Sequence, residues 1–381
     1  MSGDLIYLDY AATTPVDDDV LSAMKPFFCD IFANPSSKHT CGRRAAKAID
    51  DSREIIAKSM GAKLPSEIVF TSGASESNNL AIKGFAEKFD EPRHFITTSI
   101  EHKAALNAVK DLAEWGHRFS IVDPDKNGVI NPSDIESEIS DDTVFVSCML
   151  VNNEVGTIQP IHDIGDLCRS RGVAFHCDGT QGFGKMELDV KECVDMLSIS
   201  AHKFYGPKGV GALYVADEVS LKCQISGGSQ EGGKRSGTLN VPGIVGMAKA
   251  AEIGVSRMRS EWERMEELGS LFMGLVRSKV PISYLQAESA PRVPWIYNIC
   301  FPGADSGRIR DMLGEREICV SRTSACADSG GVSHVLEAMG TRKSMTSSAV
   351  RFSFGSRSNE QKVRDCVDAL ADVVSEIRSE S

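Results

Sequence analysis

Val173-Ala-Phe-His-Cys-Asp178, then Met196-Leu-Ser-Ile-Ser-Ala-His-Lys203, then Gly211-Ala-Leu-Tyr-Val215 is the stretch that decides the fold of this 381-residue chain. Each run is short, apolar and rich in β-prone residues, and the first two end in polar side chains. Runs of the same kind stand upstream at 67–70, 94–98, 119–122 and 144–149, with amphipathic helical patterns at 103–115 and 161–171 between them. Strands alternating with helices predict an α/β fold whose sheet is mainly parallel and covered on both faces. Sites in such sheets lie beyond the carboxyl ends of the strands. That places Asp178, Ser200, His202 and Lys203 on one edge.

Past residue 240 the pattern changes. A long helix is predicted over 241–279, followed by short β-prone pieces and a last helix with Val363, Val367, Leu370, Val374 and Ile377 on one face. Ser358 with Gln361 makes a capping box at its start. The expected division is a large domain over 16–250 and a smaller α+β domain formed by 1–15 with 251–381. Repeats and low-complexity linkers are absent, so the two should pack closely.

Composition narrows the function. A net charge of -11 argues against a broad surface for nucleic acid or anionic membrane. No run approaches the roughly 20 apolar residues of a membrane span. The start, Met1-Ser2-Gly3-Asp4, does not read as a signal peptide. Eleven scattered cysteines without a C-x-x-C pair suit a reducing cytoplasm rather than a disulfide framework or a zinc site.

Two motifs mislead. Asp123-Pro-Asp-Lys-Asn127-Gly128 nearly spells a calcium loop, but Asp134 stands where a bidentate Glu belongs and a strand precedes it, so a turn into a helix capped near Ser133 is expected. Gly179-Thr-Gln-Gly-Phe-Gly184-Lys185 has P-loop spacing, yet Met186 replaces the required hydroxyl.

The remaining chemistry converges. Strand 67–70 runs into Thr71-Ser-Gly-Ala74-Ser75, a turn of small residues opening a helix, where backbone amides can receive a phosphate. Asp178 and Lys203 supply an acid and an amine on the same edge. Pyridoxal 5'-phosphate (PLP) uses such a pair: the amine forms a Schiff base and the carboxylate keeps the pyridine nitrogen protonated.

Nearly the whole chain resembles the cysteine desulfurases, the NifS- and IscS-like group of the class V aminotransferase superfamily. The resemblance rests on Tyr7-Leu-Asp-Tyr-Ala-Ala-Thr-Thr14, Asn34-Pro-Ser-Ser37, Glu101-His-Lys103, Val151-Asn-Asn-Glu154, His176-Cys-Asp-Gly-Thr-Gln181, Ser200-Ala-His-Lys203, Arg235-Ser-Gly-Thr238, Ser324-Ala-Cys326 and Arg351-Phe-Ser-Phe-Gly355, in the family's order and spacing. It implies the type I fold of PLP-dependent transferases, with a mainly parallel seven-stranded sheet. It also implies roles. Lys203 would carry the cofactor, Asp178 would pair with its ring nitrogen, and His102 would stack on the ring and move protons. Asn153 and Gln181 would bond the ring hydroxyl. Ala74, Ser75, Ser200 and His202 would hold the phosphate, and Thr238 would reach the phosphate of a partner subunit in a homodimer. Arg351 would clamp the carboxylate of L-cysteine, helped by Asn34.

Cys326 would take the sulfur as a persulfide, leaving L-alanine, and pass it to an acceptor protein for iron–sulfur cluster assembly, thiolation of RNA or DNA phosphorothioation. Small residues and Gly330-Gly331 surround it, as expected of a mobile carrier loop. The chain stops soon after its last helix, without the tail through which housekeeping relatives meet scaffold proteins. The rival activities are a selenocysteine lyase and another class V aminotransferase-type reaction; an aminotransferase has no use for Cys326.

Overall fold

The computed structural model of the protein describes residues 5–322 and 333–380. In chain order its strands are β1 (Ile6–Tyr7), β2 (Ile68–Thr71), β3 (His94–Thr98), β4 (Arg118–Val122), β5 (Thr143–Ser147), β6 (Ala174–Asp178), β7 (Met196–Ser200), β8 (Gly211–Val215), β9 (Tyr284–Leu285), β10 (Ile296–Cys300), β11 (Ile318–Cys319) and β12 (Ala349–Ser353). Strands β2 to β8 are the seven runs read from the sequence, each within two residues of its expected bounds. They form one sheet in the order β2-β8-β7-β6-β5-β3-β4. All pairs are parallel except those of β8, which runs against both β2 and β7.

Alternate residues of these strands enter different cores. Val69, Phe95, Phe145 and Leu213 pack under the helices Ala74–Ala86 and Lys103–Asp111, while Phe70, Ile96, Val146 and Ala212 join the larger core on the other face. Both faces are covered, so the central strands are mostly apolar, and the polar side chains at the middles of β6 and β7, His176 and Ser198, bond to each other. Each fully buried Phe or Ile contributes about 1.5–3 kcal/mol. The edge strand β4 is the exception, with Arg118 and Ile121 exposed.

The helix Val241–Lys279 has the predicted bounds, with Asn240 accepting from Gly243 N at 3.1 Å and Pro242 in its first turn. The last helix, Glu360–Ser379, buries all five predicted apolar residues. Its cap differs from expectation. Asn359 accepts from Lys362 N at 2.9 Å, and the Ser358 hydroxyl turns back to accept from Gly355 N at 3.0 Å. Asn131 caps Pro132–Glu138, while the Asp125 carboxylate is occupied by the amides of Asn127 and Val129 in a turn. A second sheet, β12-β10-β9, is antiparallel, and β1 pairs in parallel with β11. The N-terminal segment therefore lies with the C-terminal part before crossing to the large sheet. Among the described residues no helix is long and apolar enough to cross a membrane.

Candidate active site

The carboxyl ends of β2, β3, β5, β6 and β7 open on one cavity of about 520 Å³, a size suited to a small cofactor with its substrate. At the end of β2, Gly73 (φ +152°) starts the helix Ala74–Ala86 with no side-chain cap, so the first amides of the helix are left for a ligand. The antiparallel β8 approaches closely here: a Cβ on Gly211 would stand 2.6 Å from Gly73 Cα. Ala74, Ser75, Ser200 and His202 surround this turn on the cavity wall.

Asp178 ends β6 and is 4% exposed. Asn78, one turn into that same helix, donates from Nδ2 to Asp178 Oδ2 at 2.8 Å, and Thr180 N donates to Oδ1 at 3.0 Å. Two residues earlier in the same strand, the buried His176 is held between Ser147 Oγ of β5 and Ser198 Oγ of β7 at 2.9 Å each, and burial lowers its pKa. The Asp178 carboxylate is thus fixed by donors on a rigid floor.

Lys203 Nζ donates to the carbonyls of Ala11 and Ala12 at 2.7 and 2.9 Å. Gln181 Nε2 donates to Ala11 O at 2.9 Å, and His202 Nδ1 is 3.0 Å from Thr13 Oγ1. One N-terminal turn therefore orients three side chains of the site. Burial is the main reason that His202 is pulled down to about 4, which leaves its imidazole neutral near pH 7. His102 caps Lys103–Asp111 by accepting from Ala104 N at 3.1 Å through Nδ1. That bond leaves Nε2 as the protonated nitrogen of a neutral ring, and burial lowers its pKa too.

Arg351, in the middle of β12, is 1% exposed. Its Nη2 donates to Asp9 Oδ1 at 2.7 Å and its Nη1 to Asn153 O at 2.9 Å, while Nε has no partner among the described residues. The residues flanking 323–332 are tied to the same wall. Ser321 exchanges both backbone bonds with Arg351, at 3.2 and 2.7 Å. On the far side Ser333 Oγ donates to Glu154 Oε2 at 2.5 Å, and His334 Nε2 donates to Glu101 O at 3.0 Å.

Ala74, Ser75, His102, Asn153, Asp178, Gln181, Ser200, His202, Lys203 and Arg351 all line this one cavity. Asn34 and Thr238 do not; both are exposed on the surface of the chain. Cys326 lies outside the described residues. Of the described cysteines, Cys148, Cys168, Cys177, Cys193, Cys300 and Cys366 are buried. Burial raises the thiol pKa of each, so these six are poor nucleophiles. The sequence reading missed Asp9, Asn78 and the carbonyls of Ala11 and Ala12. Asp9 had a signal, an acid in the quoted N-terminal motif, whereas backbone carbonyls leave none.

Glu101 was noted only as part of a motif. It is fully buried; its Oε1 accepts from Met149 N at 2.7 Å and Thr98 Oγ1 at 2.9 Å, and its Oε2 has no partner among the described residues. Burial, and after it the Asp178 charge, push its carboxyl up to about 8, so it is a neutral acid at pH 7.

The residues fit PLP. Gln181 Oε1 and Asn78 Oδ1 are buried without partners among the described residues, the helix start is an uncapped anion site, and Asp178 and Lys203 share the cavity. Residues 6–365 match the family Aminotransferase class-V. The chain is 40% identical over 379 residues to a cysteine desulfurase IscS of Rickettsia massiliae, covering 98% of this chain and 92% of that protein. It superposes on a NifS-like protein with a TM-score of 0.92 at 37% identity, over 98% of this chain and all of the other. A structure of SspA in complex with cysteine aligns with a TM-score of 0.81 at 40% identity, over 92% of this chain and 98% of the other. An anchored lysine, a braced acid and a buried arginine around one cavity agree with these likenesses, and the chain belongs to the class-V aminotransferase family, with the cysteine desulfurases.

Proposed function

We propose that this protein is a PLP-dependent cysteine desulfurase that cleaves L-cysteine to L-alanine and delivers the sulfur, as a persulfide on Cys326, to an acceptor protein. The observation that carries the reading is the single cavity in which Lys203, Asp178, His102 and Arg351 meet, with both flanks of 323–332 fastened to its wall. When bound, PLP supplies an electron sink for bond breaking at the substrate's α- and β-carbons.

The chain's own residues do the rest. Lys203 holds the cofactor covalently, and Asp178, braced by Asn78 and Thr180 N, faces its ring nitrogen. The amides that open Ala74–Ala86, with Ser75, Ser200 and His202, receive the phosphate. Asn153 and Gln181 bond the ring hydroxyl. Arg351 fixes the substrate carboxylate by charge-assisted bonds. Neutral His102, with its proton on Nε2, is set to move protons over the cavity. In the net reaction the Cβ–S bond of cysteine breaks, an S–S bond to the acceptor thiol forms, and Cβ gains a proton.

The two site residues exposed on the chain, Asn34 and Thr238, support a homodimer in which Thr238 completes the site of the partner. Phe28 and Phe32, 57% and 74% exposed, are apolar surface for that contact. The division into 16–250 and 1–15 with 251–381 follows the two sheet systems, with Val241–Lys279 spanning their border. Acceptors in iron–sulfur cluster assembly, RNA thiolation or DNA phosphorothioation suit the chemistry, and unpaired thiols suit a cytoplasmic enzyme. The test is Cys326→Ala. It should abolish persulfide transfer from cysteine while the visible absorbance of bound PLP remains; full turnover by the variant would refute the reading.

A further inference from the structure

Lys185 has no part in that chemistry. It follows the turn with false P-loop spacing and lies behind the Ala201–Lys203 turn, lining a second cavity of about 90 Å³. The walls are aromatic: Tyr10, Phe204, Trp262, Trp295 and Phe354. Lys185 Nζ stands 5.6 Å from the Trp295 ring centroid and has no hydrogen-bond acceptor or ion-pair partner among the described residues. The acids at the rim are already paired, Asp17 with Arg257 at 3.7 Å and Glu261 with Arg264 at 2.6 Å. A second donor belongs to a residue of the same wall: the indole N–H of Trp295 is buried without a partner among the described residues.

Buried donors such as the Trp295 N–H are nearly always paired, and the partly exposed Lys185 amine faces an aromatic ring rather than an acceptor. We propose that this cavity is a binding site for a small apolar monocarboxylate, with its carboxylate on Lys185 Nζ and its hydrocarbon body against Trp262, Trp295 and Phe354. A space of about 90 Å³ with apolar walls suits a short branched acid. Arg351 is not in this wall, so the site is separate from the substrate clamp.

The charge at Lys185 makes the binding measurable. Burial, and after it the Lys203 charge, bring its ammonium down to about 7. The titratable groups facing the cavity are Tyr10 and Asp17 of the N-terminal segment, Tyr205 beyond β7, and Arg257 and Glu261 of Val241–Lys279. His202 and Lys203 lie behind the wall. At pH 8 the free amine is mostly neutral, so an arriving anion draws in a proton, and affinity falls about tenfold per pH unit above 7.

Isobutyrate titrated into the holoenzyme by calorimetry, in two buffers of different ionisation enthalpy at pH 8, tests this. Expected are saturable binding at one site per chain, uptake of a proton, and at least tenfold weaker binding of isobutyramide. Lys185→Met should lose the binding while keeping bound PLP; Lys185→Arg should keep it without proton uptake; Arg351→Ala should leave it intact. The proposal is overturned if isobutyrate does not saturate, if Lys185→Met binds it as the parent does, if no proton is taken up, or if Arg351→Ala loses the binding. Should Lys185→Met fail to fold, the Lys185→Arg and buffer comparisons decide alone.

Discussion

Asp9 Oδ1 lies 2.7 Å from Arg351 Nη2, joining residues 342 positions apart at the cavity wall. The arginine is all but inaccessible and the acid is one-fifth exposed. The acid offsets part of a buried cation and sets the plane in which the guanidinium would meet a substrate carboxylate under the proposed function. Removing one partner of such a pair leaves the other poorly compensated. Asp9→Asn should lower stability by about 1–2 kcal/mol, discounted for the acid's exposure. It should also raise KM for cysteine several-fold with a smaller effect on kcat, read from steady-state kinetics and denaturant unfolding.

Arg351→Lys keeps the charge and loses the planar fork. A point charge cannot hold both Asp9 and Asn153 O and still bond a carboxylate with two parallel donors. KM for cysteine should rise about ten- to a hundredfold, with bound PLP unchanged. An unaltered KM would mean that another cation binds the substrate.

Asn78→Ala removes the donor that Asp178 Oδ2 receives at 2.8 Å. A buried acceptor left unsatisfied costs about 1–3 kcal/mol. Reconstitution of the apoprotein with PLP should show about a tenfold weaker complex, and no such loss would separate Asn78 from the cofactor site.

Glu101 gives a pH signature. Its folded pKa, about 8, lies above the ordinary value of 4.5, so the folded state holds a proton that the unfolded chain releases as pH rises from about 4.5 to 8. Its contribution to stability is therefore greatest in acid and falls by up to about 1.4 kcal/mol per pH unit across that window. Glu101→Gln keeps the acceptor for Met149 N and removes the titration. The variant should lose less stability than the parent between pH 5 and 8; parallel pH profiles would contradict a buried neutral acid.

Much of this was legible in the sequence, for identifiable reasons. Seven largely apolar runs with polar ends spelled the sheet, because strands buried on both faces are mostly apolar. Nine of the ten proposed site residues that line the cavity follow the strand ends that the main sheet brings together, while the tenth, Arg351, comes from the middle of β12 in the other sheet. The reversed direction of β8 was not legible, since an apolar run carries no arrow. The cap at Asn359 rather than Ser358 turned on one residue between two good capping side chains. The bonds from Lys203 to the carbonyls of Ala11 and Ala12 depend on a chain crossing that local sequence does not encode. Lys185 shows the converse: it ends a motif with a familiar spacing, and what distinguishes it is the aromatic walls around it.

The central claim is sulfur transfer through Cys326. Brief exposure of the holoenzyme to cysteine without reductant, followed by mass spectrometry of the peptides, tests it most directly. The account predicts one added sulfur atom on the peptide containing Cys326, removed by reductant and absent after Arg351→Ala. Added sulfur on a different cysteine, or alanine released with no sulfur on Cys326 at any time, would contradict it.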